Sequence, residues 1–155
     1  MLCPMKYLRA IGVLFVAGVA GVAGALVMAA GVPMSVHYIS HDKVAATMTK
    51  GGQIISDNGL VVLANRAVQR DAEMHAATNH IFIIVDGEGT FVTGGTLTNP
   101  KVISPGQTRA DGIAGGEVHH LSKGDVITVP ANTPHWWKDT SATGSVGYYA
   151  VNIEQ

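Results

Sequence analysis

Three histidines and one glutamate carry the chemistry this chain can do. They fall in two short segments, Glu73-Met-His75-Ala-Ala-Thr-Asn-His80 and Pro130-Ala-Asn-Thr-Pro-His135. Three imidazoles and a carboxylate form a ligand set for a divalent ion of mixed nitrogen and oxygen preference, which fits Fe, Mn, Ni, Cu or Zn. Glu73 and His75 are two residues apart, so on a strand they face the same side. His80 falls on the next strand after a short turn, and His135 comes from a distant hairpin. The four converge only if the fold rolls these segments together, so the elements around them decide the case.

Those elements read as β. The segments 60–63, 80–85, 90–93, 126–129 and 146–153 are short runs rich in β-branched and aromatic residues. Asp57-Asn58-Gly59, Asp86-Gly87-Glu88-Gly89, Gly94-Gly95, Gly115-Gly116 and Lys123-Gly124-Asp125 punctuate them. Many short strands with glycine turns predict a sandwich or closed barrel. Gly87 and Gly89 are expected as positive-φ hairpin positions rather than a phosphate loop, since no helix follows them. Ahead of the strands, residues 32–39 read as a linker. Ser40 is a natural N-cap for a short helix through Val44 and Met48 that stops at Gly51-Gly52. Residues 99–116 hold two prolines and four glycines without periodicity and read as a long loop over the barrel mouth.

Both segments resemble the motifs of the cupin family. The second motif has the form G, five residues, P-x-G, two residues, H, three residues, N. Here Gly124, Pro130 and His135 fall in place, with Asn132 where glycine is usual and Asp139 where asparagine is usual. The first motif has the form H-x-H, three or four residues, E, six residues, G, and ends here at Gly87. His75 matches directly, Glu73 occupies the position of the first family histidine, and His80 that of the glutamate. The three-His, one-Glu set is thus present with two members exchanged. The resemblance spans residues 60 to 153 and implies an all-β, double-stranded β-helix (a cupin or jelly-roll barrel) with a short N-terminal helix. It also implies a single metal held by Glu73, His75, His80 and His135, and a homodimer. The apolar residues at both parities of 60–63 and 81–85 likewise ask for cover on both sheet faces.

Other side chains share the inward parity. Phe82 and Ile84 are in phase with His80, and Trp137 with His135, so these three are expected to line the pocket; large aromatics also dominate core burial, and both tryptophans could serve packing alone. Tyr148 and Tyr149 supply one inward and one outward hydroxyl. His119-His120 could add a ligand near the mouth, although such a pair before a turn is more often solvated.

The whole chain has 155 residues, enough for one domain. A formal net charge of −1 and the lack of any Lys/Arg run exclude a nucleic-acid binder. Residues 1–9 carry Lys6 and Arg9 and no acid, and residues 10–30 carry no charge at all. Small residues follow at Met28-Ala29-Ala30-Gly31. This is the pattern of a signal peptide, or of an N-terminal membrane anchor if it is retained. Either places the rest, a linker and helix over 31–59 and a barrel over 60–155, outside the cytoplasm in the periplasm or medium. Cys3 is the single cysteine, so no internal disulfide forms. No nucleophile elbow is present.

Two functions follow. The first is an exported metal-dependent cupin acting on a small oxygenated organic molecule, by dioxygenase, isomerase or lyase chemistry of the kinds the family includes, with Glu73 as a base. The second is a non-catalytic module that binds a small molecule or a metal. Metal content and a ligand screen separate them. Outside the cytoplasm Zn or Mn is expected more readily than Fe(II).

Overall fold

The structure is a computed structural model that describes residues 30–68, 70–140 and 144–155. The leader segment lies outside these residues. Helix α1 (His41–Lys50) begins at Ser40, whose hydroxyl accepts from the Lys43 amide, and ends at Gly51 with φ +71°. The remainder is β: β1 (Gly52–Asp57), β2 (Leu60–Ala67), β3 (Ala72–His75), β4 (Thr78–Asp86), β5 (Glu88–Thr93), β6 (Thr96–Thr98), β7 (Lys101–Ser104), β8 (Gln107–Ala110), β9 (Gly112–Ala114), β10 (Glu117–Ser122), β11 (Val126–Val129), β12 (His135–Thr140) and β13 (Val146–Glu154). One sheet runs β1-β2-β13-β4-β11, a second β10-β5-β12-β3-β8-β7, and β6 pairs with β9. All pairings are antiparallel. This is the two-sheet jelly roll that the turn-rich pattern predicts.

The core is built by alternation. Along β4, Thr78, His80, Phe82 and Ile84 are buried and the residues between them are only partly covered. Tyr148 and Ala150 of β13 and Val129 of β11 join them from the same sheet, and Phe91, Leu121 and Trp137 from the other. His80 and His135 therefore continue the core rows of their strands, which places two imidazoles inside the barrel by parity alone.

Two expectations need correction. Residues 99–116 are not a loop: they hold β7, β8 and β9. These strands are three or four residues long, and β7 is an exposed edge. Strands so short and polar leave no hydrophobic alternation to read. The barrel also starts before Leu60, because β1 follows α1 directly and pairs along β2. Residues 32–39 form the expected linker, without helix or strand, and β1 ties it down. Asp57 of β1 accepts from the Met34 and Ser35 amides at 2.9 and 3.1 Å and lies 2.8 Å from His37 Nε2, an interaction that holds its carboxyl below the usual range.

The turn chemistry is specific at the Pro130 hairpin. Asn132 has φ +60°, and its amide donates to the His75 carbonyl at 2.8 Å. Asparagine tolerates this left-handed geometry better than other L-residues except glycine, which explains how it replaces the usual glycine. Asn132→Val should destabilise the domain by about 1–2 kcal/mol while Asn132→Gly is near neutral, measured by urea unfolding. Gly87 has φ +73° as expected, but Gly89 does not need positive φ. A Cβ there would lie 2.7 Å from the Asp139 carbonyl, so its requirement is close strand approach.

Candidate metal centre

The strand register assembles the site. Glu73 is paired with His135 across β3 and β12, and with Arg109 across β3 and β8. His75 faces Gln107 on β8, and His80 faces Asn152 on β13. One face of each sheet thereby brings the three imidazoles together, with one ligand nitrogen from each lying within 4.8 Å of the others. His80 and His135 are buried at 5% and 2% exposure, so no bulk water satisfies them.

Each ring is oriented by an oxygen at Nδ1. The His135 Nδ1–H donates to the Thr133 carbonyl at 3.0 Å, His80 Nδ1–H donates to Asn152 Oδ1 at 2.8 Å, and His75 Nδ1–H donates to Gln107 Oε1. These acceptors fix the proton on Nδ1 and leave an Nε2 lone pair on each ring. The Nε2 atoms of His80 and His135 are buried without a hydrogen-bond partner among the described residues. Buried polar nitrogens are normally satisfied, and metal-binding histidines normally show this outer oxygen contact.

Glu73 stands at the edge of the triad. Its carboxylate oxygens lie 3.5 Å from His135 Nε2 and 3.7 Å from His75 Nε2, and Arg109 Nη1 is 2.7 Å from Oε2. Burial pushes this carboxyl up, but the His135 and His75 rings, when they carry a proton at Nε2, and the Arg109 charge outweigh burial and hold it well below the carboxylate range; with the rings neutral, Arg109 is the charge that keeps it ionised. An ionised carboxylate and imidazole lone pairs thus crowd one small volume. That concentration of electron density fits a cation, and the donor set fits a divalent transition ion.

Burial lowers the His80 pKa to about 4, against the opposing hydrogen bond that His80 donates to Asn152. The ordinary value is 6.5. Between these pH values the unfolded chain takes up a proton at His80 that the folded chain refuses, so stability falls as the pH drops from about 6.5 to about 4. The loss should approach about 3 kcal/mol, checked by urea unfolding of metal-free protein at pH 7.5 and 4.5.

A cavity of about 300 Å³ adjoins the triad. Phe82 lines it, as do Arg70, Gln107, Arg109, Tyr148 and Asn152. Two expected lining residues do not reach it. Ile84 and Trp137 are 1% and 5% exposed and belong to the core deeper along their strands. Parity gave their face but not their depth. Of the tyrosines, Tyr148 is the inward one, and burial pushes its phenol up. His119 and His120 sit on β10 apart from the triad, His119 against Thr93 and His120 against Glu88. Gln107, Arg109 and Asn152 escaped sequence reasoning. Their signal was spacing: Gln107 and Arg109 alternate along one strand, and Asn152 stays in phase with Tyr148 and Ala150.

The fold and site together define a small β-barrel with a histidine-lined, metal-competent pocket. The chain belongs to the cupin family, whose model, described as Cupin, matches residues 59–155. Among solved structures it is similar to Fe(II) HppE, with 17% identity over 66% of this chain and 49% of that one at a TM-score of 0.50. It is also similar to BH2720 from Bacillus halodurans, with 14% identity over 76% and 81% of the two chains at a TM-score of 0.55. A third is hydroxypropylphosphonic acid epoxidase from S. wedmorenis in complex with fosfomycin, with 18% identity, 64% and 48% coverage and a TM-score of 0.49. The chain spans about half the length of the HppE chain. No curated protein matches it. Among the described residues no helix is long and apolar enough to cross a membrane.

Proposed function

We propose that this chain is a metal-dependent cupin that acts on a small oxygenated organic molecule. The observation that carries this reading is the set of three imidazoles, each fixed at Nδ1 with its Nε2 side turned to the common space. His75, His80 and His135 would hold the ion, with Glu73 beside them. When bound, a divalent ion supplies Lewis acidity toward a carbonyl or carboxylate, or redox chemistry with O₂. Zn, Mn, Fe, Ni and Cu all suit the donors; the Fe(II) of the HppE neighbour adds iron to the ions to test first.

Glu73 acts as the base. Arg109 keeps it ionised at the cavity wall, where a substrate proton would be taken up. Phe82 and Leu63 give the cavity an apolar patch. The leader, with Lys6 and Arg9 ahead of a charge-free stretch over residues 10–30, supports export to the periplasm or medium. The partly exposed apolar outer residues of β4 support a homodimer, which light scattering would report as twice the chain mass.

The deciding experiment is the metal content of the purified full-length chain, followed by turnover assays with the loaded ions. About one ion per chain with loss of substrate under turnover supports the enzyme. One ion per chain with ligand binding but no product, across all five metals, favours the non-catalytic module.

A further inference from the structure

The hydrogen bonds that orient the histidines also decide what the cavity can offer a ligand. Gln107 and Asn152 both line it, and both have committed their side-chain oxygens to imidazole Nδ1–H groups. Each keeps both N–H donors of its amide and a single free oxygen lone pair, so donors outnumber acceptors. Arg109 carries five N–H donors, and Glu73 is met by its Nη1. Arg70 adds a second guanidinium at the rim. Its main chain is held in place, because its carbonyl accepts from Trp136 Nε1 at 2.6 Å, and its Nη2 donates to the Arg66 carbonyl at 3.1 Å.

The wall is therefore donor-rich. The acidic groups on the cavity are Glu73 and Glu154, which balance Arg70 and Arg109. A divalent ion at the triad would leave an excess of positive charge. The volume of about 300 Å³ is at the small end for a ligand pocket. Leu63, Phe82 and Ala150 leave room for a short apolar body on the other side.

We propose that the ligand is a small organic acid. Its oxyanion head is received by Arg109 and Arg70 with help from the Gln107 and Asn152 amides, and a second oxygen points to the histidine triad. The proposal rests on the metal-site reading above and names the substrate class for it. Guanidinium–oxyanion pairing is charge-assisted and geometrically selective, so it discriminates an acid from its neutral ester.

The test is titration calorimetry on the zinc-loaded full-length chain, with zinc content measured on the same samples. Probes are glycolate and pyruvate as carboxylates, hydroxymethylphosphonate as a phosphonate, and methyl glycolate as the neutral control. The acids should bind one per chain, and the ester at least tenfold more weakly. The ratio of glycolate to phosphonate affinity tells which oxyanion the site prefers. Arg70→Gln leaves the Glu73–Arg109 pair intact and should weaken acid binding about fivefold or more at unchanged zinc content; Arg109→Gln should weaken acid binding further, compared at equal zinc loading because it also releases Glu73. Equal affinity for acid and ester, or no acid binding with zinc at one per chain, overturns the proposal and leaves the metal reading standing. A chain that takes up no zinc overturns the metal reading instead. The acid-to-ester ratio of that zinc-free protein then judges the arginine pocket by itself, an equal ratio sinking it.

Discussion

His135→Ala is expected to cost roughly a hundredfold or more in metal affinity, read by competition with a chromophoric chelator. Loss of an outer hydrogen bond to a ligand histidine typically costs 10–100-fold, and loss of the ligand itself should exceed that. His135 is the most buried of the three imidazoles, and its Nδ1 partner is a main-chain carbonyl, which no neighbouring side chain can imitate. Its ring also closes the triad, with centroids 5.4 Å from His75 and 5.0 Å from His80. Two imidazoles then remain, too few for a tight site. Glu73→Ala should weaken binding less, because three imidazoles survive and because Arg109 already shares the carboxylate. Circular dichroism on both variants guards against loss of fold. Metal content unchanged in folded His135→Ala would remove the triad from consideration.

The contrast between the two variants bears on the exchanged motif positions. Glu73 takes the place of a family histidine and His80 that of the glutamate, yet both point inward. The reason lies in register: Glu73 is directly paired with His135, and His80 continues the buried row of β4. A swap between two inward positions keeps the composition of the site while moving its carboxylate to the β3 side, where Arg109 is the cross-strand neighbour. The arginine and the displaced carboxylate are thus one feature of the structure.

Much of this was legible in the sequence. Strand parity placed Phe82 and Trp137 inward, and the segments 126–129 and 146–153 coincide with β11 and nearly all of β13. The reason is that these strands bury one face, which writes a period of two into the residues. The β8 strand was not legible because its side chains serve the site rather than the core. Gln107 and Arg109 are polar residues pointing inward, the reverse of the pattern that marks a strand. Ile84 and Trp137 were placed on the right face but too near the ligand, because distance along a barrel axis depends on strand stagger, which parity does not record.

The largest stability effect should come from Phe91→Ala, about 3–5 kcal/mol by urea unfolding of the metal-free chain. That is a large share of the roughly 5–15 kcal/mol that holds an ordinary domain folded. Phe91 is fully buried, and it joins the two sheets. Its ring lies 4.7 Å from Trp137 and 5.5 Å from Phe82, the latter edge-on, and 6.1 Å from His135. Truncation leaves a cavity that these rings, fixed on separate strands, cannot close. Phe91→Leu retains most of the volume and should cost under about 1.5 kcal/mol. The effect should also reach the site, since His135 and the Phe82 ring on which His80 stacks at 5.4 Å both lean on Phe91. Metal added to Phe91→Ala should recover part of the lost stability, because an ion that binds only the folded state shifts the equilibrium toward it. A loss below 1 kcal/mol would mean that the sheets close over the gap and that Phe91 is not the joint between them.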